Sequence, residues 1–186
     1  DFRLPPSVLA SPVATTSAAA GGIQTVIENG NYYSFVAGAN GLFRLNIGPS
    51  PDGAPGTPVA ITLPVGGTSF GTLNDFRIFK EGNSWYGLCL YLVGESIVRL
   101  NFGPDITNAS PGYTIINLPG FLTKPRGLDI FEEFGNKYAI IANQENSNLV
   151  MLDFGKTYRN IPSASSVDVL QGINLYKVSM VKECNI

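Results

Sequence analysis

Val98-Arg99-Leu100-Asn101-Phe102-Gly103 decides the fold, because the sequence carries it three times. Upstream it stands as Phe43-Arg44-Leu45-Asn46-Ile47-Gly48, and downstream as Val150-Met151-Leu152-Asp153-Phe154-Gly155. The closing glycines lie 55 and then 52 residues apart. A second landmark is a turn that runs into an aromatic strand. It reads Glu28-Asn29-Gly30-Asn31-Tyr32-Tyr33, then Glu81-Gly82-Asn83-Ser84-Trp85-Tyr86, then Glu133-Phe134-Gly135-Asn136-Lys137-Tyr138. Its asparagines Asn31, Asn83 and Asn136 step by 52 and 53 residues. Two landmarks that keep nearly one period define an internal repeat, and a repeat governs the reading of everything else.

Each period resolves into four short strands. In the third copy these are Leu128–Phe131, Tyr138–Ala142, Leu149–Phe154 and Ser166–Leu170, with turns at Glu133–Asn136 and Asn143–Ser147. β-branched and aromatic runs bounded by Gly and Asn are strand signals, and no window shows helical periodicity. Four strands in about 50 residues is the unit of a propeller. The sequence therefore predicts an all-β, β-propeller-type repeat of four-stranded blades with a period of about 52 residues. Residues 1–22 read as the end of a preceding blade, 23–72, 73–124 and 125–172 as whole blades, and 173–186 as the first strand of a following one. Asp1-Phe2 matches the end of a third strand. Ser11-Pro12-Val13-Ala14-Thr15 matches Thr57-Pro58-Val59-Ala60-Ile61 and Ser110-Pro111-Gly112-Tyr113-Thr114. These ends point to an incomplete propeller segment of a larger parent chain.

Composition narrows the function classes. Net charge is −2 and the cations are scattered, so the clustered positive face that nucleic acid requires is missing. No apolar run reaches the length of a membrane span. Charged residues are only 14% of the chain, which leaves Asn, Ser, Thr, Gly and Tyr to make the surface, as in extracellular β-proteins. The two cysteines, Cys89 and Cys184, read as small buried thiols rather than a disulfide framework.

There is no histidine, which removes Ser-His-Asp and Cys-His catalysis and the usual zinc sites. Paired carboxylates could still cleave glycosides, with Asp75, Asp129, Glu132, Glu133 and Glu145 as the available acids. Surface solvation is the default for such residues. The run Asn143–Asn148 reads as a polar hairpin turn, since it lacks the spaced acids of a calcium loop. No metal and no cofactor is expected. Tyr32, Tyr33, Trp85, Tyr86 and Tyr138 recur at one repeat position, which favours packing between blades over a sugar-stacking platform. First strands of blades face the propeller axis. Aligning Phe79 with Phe131 places Arg77 opposite Asp129, and aligning Val178 with Ile130 adds Lys177. These three are the candidate ligand-binding residues, as a ring of alternating charge whose bland reading is a set of salt bridges in the channel.

Three runs carry a family resemblance: Gly127-Leu128-Asp129-Ile130 with Gly135-Asn136-Lys137-Tyr138, Ile97–Gly103, and Ser11–Thr15. The repeat resembles that of large secreted proteins of the Bacteroidota, the group with gliding-motility-associated and PKD-domain surface proteins. The first copy departs from the pattern, with Thr25-Val26 in place of Asp-Ile. The resemblance implies a cell-surface location, export by the type IX system, and a role in adhesion or gliding. It transfers no catalytic residue. The expectation is thus a non-enzymatic extracellular binding or display module with a protein or glycan partner at the cell surface, and no nucleic acid or membrane span. The alternatives are a carbohydrate-binding or enzyme-accessory propeller, and a structural docking domain in a secretion or motility complex.

Overall fold

The computed structural model describes residues 21–38, 41–64, 72–168 and 177–179. The motifs at Asp1-Phe2 and Ser11–Thr15, Cys184, and most of the segment read as a following blade lie outside the described residues. The described residues form three four-stranded antiparallel sheets, and every strand pairs with its neighbour in sequence. The first sheet holds β1 (Gly22–Glu28), β2 (Asn31–Gly38), β3 (Gly41–Gly48) and β4 (Val59–Ile61). The second holds β5 (Leu73–Glu81), β6 (Ser84–Tyr91), β7 (Ser96–Gly103) and β8 (Gly112–Asn117). The third holds β9 (Pro125–Glu133), β10 (Asn136–Asn143), β11 (Asn148–Gly155) and β12 (Ser163–Asp168). These are propeller-type blades. Among the described residues no helix is long and apolar enough to cross a membrane.

The repeated motifs are the local chemistry of each blade. The first hairpin of every blade closes through a two-residue turn, with Glu28 opposite Asn31, Glu81 opposite Ser84 and Glu133 opposite Asn136. Such turns need positive φ, which suits Asn-Gly. Asn29 and Gly30 adopt φ of 49° and 75°. The third motif ends in Asn-x-Gly or Asp-x-Gly for an equally physical reason. The side-chain oxygens of Asn46, Asn101 and Asp153 accept hydrogen bonds from the amides of Gly48, Gly103 and Gly155 at 2.9, 2.9 and 2.8 Å. The pairing register shifts opposite each glycine, between Tyr32 and Tyr33, Trp85 and Tyr86, and Lys137 and Tyr138. Each motif is therefore a β-bulge held by its own Asx side chain.

Strand alternation divides the second blade between two cores. Trp85, Cys89 and Tyr91 of β6, with Val98, Leu100 and Phe102 of β7, pack against Phe35 and Leu42 of the first blade. Leu88 and Leu90, with Ile97, pack against Leu128, Ile141, Val150 and Leu152 of the third. Of the recurring aromatics, Tyr33, Trp85 and Tyr86 are buried, as packing between blades requires; Tyr32 and Tyr138 are half-buried, and Tyr138 stacks on Phe131 at 5.1 Å. Burial pushes the Cys89 thiol up to about 12, which makes it inert as a nucleophile at neutral pH.

Two arginines latch successive blades. Arg44 Nη1 of β3 donates to the Ile106 carbonyl at 3.0 Å, and Arg99 Nη1 of β7 donates to the Tyr158 and Asn160 carbonyls at 2.6 and 2.8 Å. Ile106 and Tyr158 occupy equivalent places in the loops between third and fourth strands, and both are buried. Tyr158 wedges its ring 4.5 Å from Phe79 and 5.3 Å from Phe154. Its hydroxyl lies 3.0 and 3.2 Å from the Phe131 and Tyr138 carbonyls.

The packing and turn geometry set the expected stability of three variants. Leu152→Asp buries a charge in the core between the second and third blades and is expected to cost about 4 kcal/mol or more. Glu145→Ala removes only an exposed pair with Lys124 at 3.2 Å and should cost about 0.5 kcal/mol or less. Comparable melting temperatures for the two variants would refute the blade alignment. Phe134 holds φ at 50° while 92% exposed, in the place Asn29 fills in the first blade. Phe134→Asn is expected to raise stability by about 1 kcal/mol in denaturant titration, because Asn tolerates the left-handed region.

Candidate functional site

The first strands β1, β5 and β9 lie side by side, each at the edge of its own sheet, and side chains bridge the gaps between them. Gln24 of β1 accepts from the Ile78 amide and donates to the Ile78 carbonyl, both at 2.7 Å. Asn74 Nδ2 of β5 donates to the Pro125 carbonyl at 2.7 Å, and Asp75 Oδ2 accepts from the Leu128 amide at 3.0 Å. Chain segments at this end approach so closely that two contacts leave no room for a Cβ. A Cβ on Gly21 would stand 2.3 Å from the Asn74 carbonyl oxygen, and one on Gly127 would stand 2.7 Å from Lys177 Cα. The segment 177–179 thus runs against the start of β9.

An ion cluster sits among these strands. Arg77 Nε donates to Asp129 Oδ1 and Arg77 Nη1 to Asp75 Oδ1, each at 3.0 Å. Nη1 also donates to the Phe76 carbonyl at 2.8 Å. Asp75 Oδ1 accepts from the Phe76 amide at 2.8 Å, and Asp129 Oδ1 from the Ile130 amide at 2.9 Å. The Asp75 side chain is 5% exposed, whereas those of Arg77 and Asp129 are 19% and 16% exposed. Asp75 is therefore the buried brace, and Asp129 with Arg77 forms the part that solvent reaches.

Arg77 and Asp129, which the period aligns, are brought together as an ion pair. Lys177 is exposed, and the second charge on Arg77 is instead Asp75, whose repeat equivalents are Gly22 and Gly127. Of the other acids, Glu132 and Glu145 are exposed and paired with Lys137 and Lys124, and Glu133 is exposed. In the Asn143–Asn148 turn, Asn143 is buried. It donates to the Phe121 carbonyl and to Asn148 Oδ1, and accepts from the Thr123 amide at 3.2 Å, so its polar atoms serve the hairpin. A carboxylate beside a guanidinium offers acceptors and donors together, the complement of adjacent sugar hydroxyls.

No protein-family model and no curated protein matches the chain. Solved structures do match in fold. The exo-β-1,3-galactanase of Phanerochaete chrysosporium, in complex with β-1,3-galactotriose, aligns at TM-score 0.57 and 14% identity over 86% of this chain and 38% of the galactanase. Its galactose complex aligns at 0.57 and 15%. A GH43 protein of Bacillus licheniformis aligns at 0.56 and 16% identity over 80% of this chain and 30% of that one. The chain thus spans well under half the length of these structures. Their fold is the five-bladed β-propeller, and at this identity the likeness is one of fold.

The matches correct two expectations. A non-enzymatic display module, and a chain that is no enzyme, were read from motifs that specify blade packing. The solved structures matched above are glycoside hydrolases and not adhesins.

Coupling within the cluster can be measured. Arg77→Met strands the Asp75 carboxylate and is expected to cost about 3 kcal/mol in urea unfolding. Adding Asp75→Asn should restore part of that loss, because the two residues share one interaction. Strictly additive losses would show that the cluster is not coupled.

Proposed function

We propose that this chain is part of a carbohydrate-active enzyme of the propeller type, with a glycan entering at the axial strands against Asp129 and Arg77. The observation that carries this reading is a solvent-reached carboxylate–guanidinium pair on the inner strands of blades whose solved counterparts are glycoside hydrolases. Asp75 acts as a positioning residue. It fixes the Arg77 guanidinium from behind, so that the plane of donors does not need to reorganise when a sugar binds.

The reaction class that fits is hydrolysis of a glycosidic bond, which uses two carboxylates on opposite sides of the scissile bond. Asp129 is the carboxylate of this cluster best placed to meet a ligand. Asp75 is enclosed by the Phe76 and Leu128 amides and by Arg77, and is too buried to reach one. The second reacting carboxylate is assigned to another inner strand of the whole propeller. A neutral oligosaccharide such as a β-1,3-galactoside is the first ligand to examine, since galactotriose and galactose occupy the galactanase. An extracellular location suits the same reading, because polymeric glycans lie outside cells and the chain is low in charge.

The test is a titration of the chain with β-1,3-galactotriose and a panel of neutral oligosaccharides, followed by NMR. Saturable binding is expected, weakened about tenfold in Asp129→Asn by loss of a charge-assisted hydrogen bond. Binding that Asp129→Asn leaves intact would reject the axial site. No binding across the panel would reject the carbohydrate reading.

A further inference from the structure

A second polar recess lies at the other end of the blades. Asp75 sits in the first half of β5, opposite Leu90. The row Phe79–Tyr86–Asn101–Gly112 crosses β5 to β8 near the opposite end. Tyr86, Asn101 and Gly112 of this row, with the adjacent pair Arg99 and Thr114, floor a cleft of about 350 Å³ between the second and third blades. Tyr113 lines it through its main chain. It pairs with Leu100, which faces the first blade, so its side chain alternates away. The far wall is Arg159, from the loop between β11 and β12. The volume is at the low end for small-molecule sites, sized for a sugar unit rather than a chain.

The charge of the cleft is specific. Arg99 and Arg159 contribute two positive groups. Glu81 lies behind them, 3.6 Å from Arg159 Nε, and is committed to the Thr157 hydroxyl at 2.7 Å and the Tyr158 amide at 3.1 Å. Glu132, the neighbouring acid, is paired with Lys137. One positive charge is left uncompensated in a recess that also offers a phenol, an amide and a hydroxyl. The Arg99 guanidinium is braced, whereas the Arg159 side chain is 66% exposed and is held at Nε alone. Arg99 is held by two carbonyls, and Arg159 Nε donates to Thr157 Oγ1 at 3.1 Å. A braced guanidinium binds a carboxylate with little loss of freedom.

We propose that this interblade cleft binds the carboxylate of an acidic sugar, a hexuronate unit, with Arg159 and Arg99 on the carboxylate and Asn101, Thr114 and Tyr86 on the hydroxyls. The choice of a sugar as carrier of the carboxylate rests on the carbohydrate reading above, while the anion site rests on the cleft alone. Gly112 supplies a selective plug, because a Cβ there meets nothing within 4 Å and the larger side chain would extend into open space.

The experiment titrates the whole chain with digalacturonate, β-1,3-galactotriose and sodium sulfate by calorimetry. The wild type is compared with Arg159→Ala and Gly112→Tyr, and circular dichroism melts check each fold. Digalacturonate is expected to bind the wild type, to lose about tenfold in affinity in Arg159→Ala, and to lose binding in Gly112→Tyr. Galactotriose binding should not respond to either variant. Should Gly112→Tyr fail to fold, Arg159→Ala decides alone. Digalacturonate that does not bind, that binds both variants like the wild type, or that sulfate matches in affinity would overturn the proposal. Cleft-dependent digalacturonate binding, with no neutral oligosaccharide of the panel binding, would sustain this site and remove the axial one.

Discussion

The inner strands of a propeller cannot hydrogen-bond to one another backbone to backbone, because the blades they belong to radiate apart. Each inner strand is a sheet edge with an unpaired row of amides and carbonyls, and buried groups of that kind must find partners. Here side chains supply them. Gln24 satisfies both polar groups of Ile78, Asn74 reaches the Pro125 carbonyl, and Asp75 takes the Leu128 amide. The blades are thereby held at a separation that a side chain spans, with the apolar clusters filling the space farther out. The Arg77 cluster is part of the same solution, so the charged group at the axis is also a structural brace.

This double duty explains how much of the site was legible in the sequence. The period aligned Arg77 with Asp129, and the structure pairs them because neighbouring inner strands are offset by about one repeat. Asp75 escaped the same comparison. Its counterparts in the other blades are Gly22 and Gly127, so a search for what recurs passes over it. A Cβ at Gly127 would meet the main chain of Lys177 and one at Gly22 the Asp75 carboxylate, whereas in the second blade the position carries that carboxylate. Lys177 was aligned by position but contributes its main chain to the contact with Gly127, and main-chain proximity leaves no mark in a charge pattern. The fold was far more legible, since the Asx-held bulges and the Asn-Gly turn are dictated by residues a few positions apart.

Function was less legible for a related reason. The constant residues of the repeat are those that close hairpins, set bulges and fill the seams between blades. They report how a blade is built, and any propeller has the same needs whether it displays, binds or cleaves. Asp75, against Gly22 and Gly127, shows instead a position where the copies differ, and such positions leave no repeat signal. The cleft beside Arg159 belongs to this class too. Its floor uses motif residues Arg99 and Asn101, but its wall comes from a loop whose counterpart in the second blade carries Thr107 at that place.

The arginine latch has a consequence for how the chain tolerates change. Arg44 and Arg99 each demand a carbonyl at a set point in the next blade's outer loop. Both receiving loops are also cinched to a fixed size, by Asn108 and Asn160 reaching back to the Phe102 and Phe154 carbonyls. At the corresponding place in β11 stands Met151, a side chain with no such demand. The length rule therefore governs the two seams between the described blades, and β11 places no such demand through Met151. An insertion in either receiving loop would move the carbonyl that its arginine needs, so a change in the length of one loop is felt in the neighbouring blade.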